Sequence, residues 1–103
     1  MLLLPATVTA REARDALRML SQALKRESDA GVVVDASALD QFDSAVLAVL
    51  LECQRLAQAW GKGFAVRHAP AKLLALARLY GLDALLPLEG APAAAAQVRQ
   101  AGL

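Results

Sequence analysis

Gly31-Val32-Val33-Val34-Asp35-Ala36-Ser37-Ala38-Leu39-Asp40-Gln41-Phe42-Asp43-Ser44-Ala45-Val46-Leu47-Ala48-Val49-Leu50-Leu51 places a β-branched run, a polar loop and a long apolar segment in direct succession. Three valines with no polar residue between them predict a central strand covered on both faces, which Asp35 ends. The loop 36–43 leads into a helix whose Val46, Val49, Leu50, Cys53, Leu56, Ala57 and Trp60 form a wide apolar stripe, and Gly61 supplies its stop. Strand, loop and helix in this order are half of a βαβ unit.

The same pattern extends in both directions. Residues 2–8 read as a short strand that Pro5 interrupts or ends, suited to an edge. Thr9-Ala10-Arg11-Glu12 fits a capping box, so a helix is expected to open at Thr9, with Ala13, Ala16, Leu17, Leu20 and Leu24 facing a core. Arg11, Arg14, Arg18, Gln22 and Lys25 fall on its other side and read as a solvated face. Downstream, Phe64-Ala65-Val66-Arg67 is a third strand, and Pro70 suits the first position of a third helix. That helix runs through Leu73, Leu74, Ala77 and Tyr80 to a glycine stop at Gly81-Leu82. A short strand is expected at Ala84-Leu85-Leu86. The domain is placed at 1–88, and 89–103 is an alanine-rich tail of low complexity. Alternating strands and helices predict an α/β domain with a small, mostly parallel sheet and about three helices packed against it.

Composition narrows the function. A chain of 103 residues holds about one domain. With 57% hydrophobic but only 4% aromatic residues, the core is built from Leu, Val and Ala, and stacking platforms for single-stranded nucleic acid are missing. Eleven Lys and Arg against ten Asp and Glu, with no block of like charge, recruit no nucleic acid by bulk field. Cys53 is the single cysteine, in an apolar periodic segment, and reads as a buried thiol of a reducing, cytoplasmic compartment. No apolar run approaches the roughly 20 residues that cross a bilayer.

Catalytic patterns are thin. His68 is the only histidine, so nucleophilic catalysis would have to join it to Ser44, Ser37 or Cys53. One His and one Cys match no metal-ligand spacing, and Gly61-Lys62-Gly63 leads into a strand where a phosphate loop needs a helix. Asp35, Asp40 and Asp43 surround the loop after the second strand and read as turn and cap residues before a Mg²⁺ set. The reading is a protein with no catalytic residues, no metal and no cofactor.

The chemistry therefore concentrates at the start of the second helix. Ser44 reads as its cap, and added negative charge is tolerated there, because free amides and the helix dipole both favour it. Ala45 and Ala48 are small and lie on the side continued by Glu52, Arg55 and Ala59, which permits close approach by another protein. Asp40, Gln41, Asp43, Ser44, Ala45, Val46 and Ala48 are the expected partner-binding residues, and Ser44 is the residue a kinase would modify.

Val32-Val33-Val34-Asp35-Ala36-Ser37-Ala38-Leu39 followed by Phe42-Asp43-Ser44-Ala45-Val46-Leu47 resembles the signature of STAS domains (sulphate transporter and anti-sigma-factor antagonist). There a buried strand ends in Asp-Leu-Ser and a helix starts at Asp-Ser/Thr-Ser/Gly-Gly-Leu. Leu73 to Leu82 is similar to that family's third helix with its glycine stop, and the likeness spans about residues 2–88. Ala71-Lys72-Leu73-Leu74-Ala75-Leu76-Ala77-Arg78-Leu79-Tyr80-Gly81-Leu82 resembles in particular the MlaB-like cytoplasmic subunits of Mla phospholipid ABC transporters, which maintain outer-membrane lipid asymmetry. That resemblance implies a non-enzymatic protein that binds and supports the transporter's ATPase subunit, peripheral to the inner membrane through that partner. The alternative it implies is an anti-sigma-factor antagonist switched by an anti-sigma-factor kinase. Sporulation antagonists carry their phosphorylated serine where this chain has Ala45, and Gly where it has Val46. The resemblance also leaves the chain without the family's first N-terminal strand.

Overall fold

A computed structural model describes residues 1–28 and 30–90. The elements in order are β1 (Leu2–Leu3), β2 (Thr7–Val8), α1 (Ala13–Arg26), β3 (Gly31–Asp35), β4 (Gln41–Phe42), α2 (Ala45–Ala59), β5 (Gly63–Ala69), α3 (Ala71–Leu79) and β6 (Leu88–Gly90). Four of the strands form a sheet of order β1-β3-β5-β6 with every neighbouring pair parallel. β2 and β4 form a separate parallel pair. Three helices on a parallel sheet are the expected α/β architecture.

The core follows from the periodicities. Val32, Val34 and Val66 from the sheet, Leu20 and Leu24 from α1, Val46, Leu50 and Cys53 from α2, and Leu73 from α3 are all fully or almost fully buried. Each large apolar side chain removed from water in this way contributes about 1.5–3 kcal/mol. Val33 points to the opposite face of β3 and is only half-buried, while Leu3 on that face of β1 is 66% exposed. The valine run is therefore covered on one face among the described residues, not on both. The α2 stripe forms largely as expected: Val46, Val49, Leu50, Cys53 and Ala57 are buried and Leu47 joins them, while Leu56 is half-buried and Trp60, at the helix end, is 41% exposed.

Both glycine stops form as the sequence predicts. At the end of α2, Gly61 has φ +70° and its N–H reaches the Gln58 carbonyl at 3.0 Å, while the Lys62 N–H reaches Ala57 at 2.8 Å. At the end of α3, Gly81 has φ +70°, its N–H reaches Arg78 at 3.0 Å, and the Leu82 N–H reaches Ala77 at 2.8 Å. These are Schellman pairings, in which glycine adopts the left-handed conformation at least cost.

Several boundaries differ from the sequence reading: β5 runs Gly63–Ala69 where 64–67 is expected, and Pro70 stands at the N-cap of α3 and not at its first position. Pro5 separates two strands that pair with different partners, so 2–8 is not one strand. Thr9 does not open α1: Glu12 reaches back to accept the Thr9 N–H at 3.3 Å, but the Thr9 hydroxyl bonds to the same carboxylate and caps nothing, and the helix starts at Ala13. The Thr9 hydroxyl, as the largest influence, holds the Glu12 carboxyl below its ordinary value. The last strand lies at Leu88–Gly90, not 84–86, because Leu85 and Leu86 turn back to donate their N–H groups to the Leu82 carbonyl. β6 thus carries the sheet past the expected boundary at 88, and the alanine-rich run Ala91-Pro92-Ala93-Ala94-Ala95-Ala96 lies outside the described residues.

Candidate functional site at the start of α2

In a parallel sheet the chain leaves every strand at the same edge, and there the loops before α2 and α3 meet. The segment ahead of α2 is fastened to the N-terminal segment. The Asp40 and Gln41 N–H groups both donate to the Ala6 carbonyl, at 2.7 and 2.9 Å, and β4 then runs beside β2. Asp43 completes the attachment: its Oδ1 accepts the Ala45 N–H at 2.8 Å and its Oδ2 accepts the Ala10 N–H at 3.1 Å. One carboxylate thereby satisfies a free amide of α2 and an amide of the turn leading into α1.

Ser44 differs from expectation. It stands at the N-cap position of α2, but its side chain makes no capping hydrogen bond, and Asp43 does that work. Ser44 is exposed, as are Asp40, Gln41, Asp43 and Ala48, and Ala45 is half-buried. Six of the seven expected contact residues are therefore at or near the surface. Val46 is fully buried and belongs to the core, so it offers no contact surface.

Beside this turn runs a groove that the sequence reading did not contain. Phe42, Asp43 and Ser44 form one wall; Lys72, Ala75, Leu76, Leu79 and Tyr80 of α3 and its end form the other, around a volume of ≈ 480 Å³. The Lys72 ammonium sits 5.9 Å from the centre of the Phe42 ring, a cation–π contact between the two walls. Leu79 is 79% exposed and Tyr80 56% exposed, so Tyr80 does not face the core as its spacing suggested. The signal was there to be read: Lys72, Ala75, Leu76 and Leu79 recur at three- and four-residue steps, a second stripe beside Leu73 and Ala77. The groove is open, mainly apolar and bordered by the exposed Ser44 and Asp43.

The remaining polar cluster lies at the ends of β3 and β5. Register pairs Asp35 with Arg67 and so brings His68 next to Asp35. Asp35 Oδ1 accepts the Ser37 N–H at 2.9 Å and lies 3.1 Å from His68 Nδ1. Hydrogen bonds from the Ser37 amide, then the Ser37 side chain, then His68 hold the Asp35 carboxyl below its ordinary value against the opposing effect of desolvation. His68 adopts φ +58°, a left-handed conformation uncommon outside glycine. Of the nucleophiles that His68 could have served, Cys53 is fully buried, its thiol pushed up to about 11 chiefly by burial, and Ser44 borders the groove. Ser37 bonds to the acid; among the described residues no hydrogen bond joins it to the imidazole. Asp35 and Asp43 are each committed to amides, and among the described residues no three His, Cys, Asp or Glu side chains gather as a metal site requires. Likewise, no described helix is long and apolar enough to cross a membrane.

Comparison with known proteins agrees with this architecture. A solved anti-sigma-factor antagonist (STAS) domain protein from Planctomyces limnophilus superposes with a TM-score of 0.70 over 85% of this chain and 79% of its own, at 15% identity, a likeness of fold. No curated protein matches the sequence closely enough to count as a relative. The family model described as "Mlab, STAS domain" matches residues 2–87, from the first strand to the edge of the last, and the chain belongs to that STAS family.

Proposed function

We propose that this domain is a non-enzymatic docking module that binds and supports the ATPase subunit of an Mla-type phospholipid ABC transporter, which maintains outer-membrane lipid asymmetry. The observation that carries the proposal is the groove itself: the exposed Leu79 and Tyr80 of α3 stand against an α2 start that Asp43 holds in place. Exposed apolar side chains beside a fixed polar turn are what a protein partner can bury and orient on. Membership of the Mlab STAS family supports the choice of partner. On this reading the domain is cytoplasmic and reaches the inner membrane through the ATPase. Asp40, Gln41, Asp43, Ser44, Ala45 and Ala48 contribute one side of the contact, and Leu79 and Tyr80 the other.

Co-purification with the ATPase subunit of an Mla-type transporter tests it. Wild type and Gln58→Arg, at the far end of α2, are expected to bind, and Ser44→Arg to lose binding by about tenfold or more, as central interface residues do. Equal binding by wild type and Ser44→Arg would remove the groove from the account.

A second reading, an anti-sigma-factor antagonist regulated by serine phosphorylation, is favoured by one observation: the Ser44 hydroxyl is exposed and not engaged in capping, so a kinase could reach it. A phosphate there would sit at the positive end of α2. It predicts a phosphate on Ser44 after incubation with the partner kinase, read by intact mass; an unchanged mass rejects it.

A further inference from the structure

The outer face of α1 carries charge that no ion pair among the described residues matches. Arg14, Arg18 and Lys25 recur at four- and seven-residue steps and are exposed along one side of the helix. Among the described residues none of them lies within ion-pair distance of a carboxylate. The acids nearby are turned elsewhere: Asp15 and Glu12 border a different crevice with Pro5, Thr7 and Met19, and Glu52 on α2 is held by Arg55. Between α1 and α2 lies a second crevice of ≈ 250 Å³, lined by Ala13, Arg14, Leu17, Ala48 and Val49. Its floor is apolar, Arg14 stands on its rim, and Arg18 follows about 6 Å further along the helix.

We infer that the α1–α2 crevice, with Arg14 at its rim and Arg18 one turn further along α1, receives an acidic segment of the ATPase that presents an apolar side chain between its carboxylates. This rests on the docking reading and extends it, since Ala48 belongs both to the crevice and to the surface that starts at Ser44. Guanidinium groups hold carboxylates through paired hydrogen bonds, which favours arginine over lysine at such a rim. The apolar floor asks for an anchor side chain, which a lipid headgroup array lacks. A formal net charge of +1 also gives the molecule as a whole little attraction to an anionic bilayer.

The test titrates the purified ATPase subunit with wild type, Arg14→Glu/Arg18→Glu, Arg14→Lys/Arg18→Lys and Ser44→Arg at rising salt. Wild-type affinity is expected to fall as salt rises; the glutamate pair to bind about tenfold or more weakly, with a flatter salt dependence; and the lysine pair to keep the salt dependence while losing part of the affinity. A glutamate pair that binds like wild type overturns the inference and leaves the Ser44 surface standing, whereas a wild type that does not bind at all removes both. If the glutamate pair loses binding to sedimented phosphatidylglycerol vesicles but not to the ATPase, the face reads lipid and the inference is wrong. Should the glutamate pair lower the melting temperature, the lysine pair decides, and wild-type affinity in that variant overturns the claim.

Discussion

The two helices that border the groove enter it in different ways. α2 begins at a carboxylate that bonds to two segments of chain, runs for 15 residues and buries six of them. α3 begins at Pro70 with no side-chain cap, runs for nine residues and buries two, Leu73 and Ala77. One wall of the groove is therefore anchored through the core, and the other is a short helix that leaves Leu79, and Tyr80 at its end, on the surface. A docking site needs both: a reference that does not move, and apolar area that a partner can cover.

The largest expected effect tests the contrast in stability. Leu50→Ala on α2 removes a fully buried side chain and is expected to cost about 2–5 kcal/mol. Leu79→Ala on α3 is expected to stay within about 0.5 kcal/mol of wild type, since surface changes do little. Chemical denaturation of both variants measures the difference, and similar losses would mean that Leu79 is a core residue. Next in size is the α2 entry: Asp43→Ala is expected to cost about 1–2 kcal/mol, because it strips partners from the Ala10 and Ala45 amides, while Ser44→Ala costs under about 0.5 kcal/mol. If Ser44→Ala proves the more damaging of the two, Ser44 is the cap after all.

That assignment shows where sequence reasoning stopped. Val32 to Val34, the apolar stripe of α2 and the glycine stops at Gly61 and Gly81 were legible because each depends on neighbours a few residues away. Asp43 and Ser44 are both cap-forming residues, and the choice between them is made by the Ala10 amide, 33 positions away. β4 was invisible for the same reason, since Gln41 and Phe42 are a strand only beside Thr7 and Val8. Tyr80 reads as the continuation of a core stripe, yet α3 ends at Leu79 and Tyr80 is left exposed. The α3 wall of the groove, opposite the turn that the family signature names, had to come from the fold.

A smaller effect separates the groove from the Asp35 cluster. Asp35 has its carboxyl lowered in the folded state, so its contribution is present above the ordinary carboxylate range and is lost as the pH falls through the folded-state value. Asp35→Asn is expected to lower stability at neutral pH and to reduce the loss of stability on acidification, read from melting temperatures between about pH 3 and 7. Partner binding at neutral pH should not change. A variant that loses binding while keeping its stability would move the site to the ends of β3 and β5. Smallest of all, Cys53 is expected to resist thiol reagents until the domain unfolds, because the thiol is buried and its titration is raised to about 11. Rapid labelling of the native protein would show that α2 opens locally.

The most direct measurement of the central claim is a residue-by-residue map of the partner's footprint, from amide signals of the isotope-labelled domain titrated with the ATPase subunit. The affected residues are expected to cluster in two stretches, 42–48 and 72–80, on the two walls of the groove. A footprint centred on the exposed sheet face around Leu3 and Val33, with those two stretches unchanged, would contradict it.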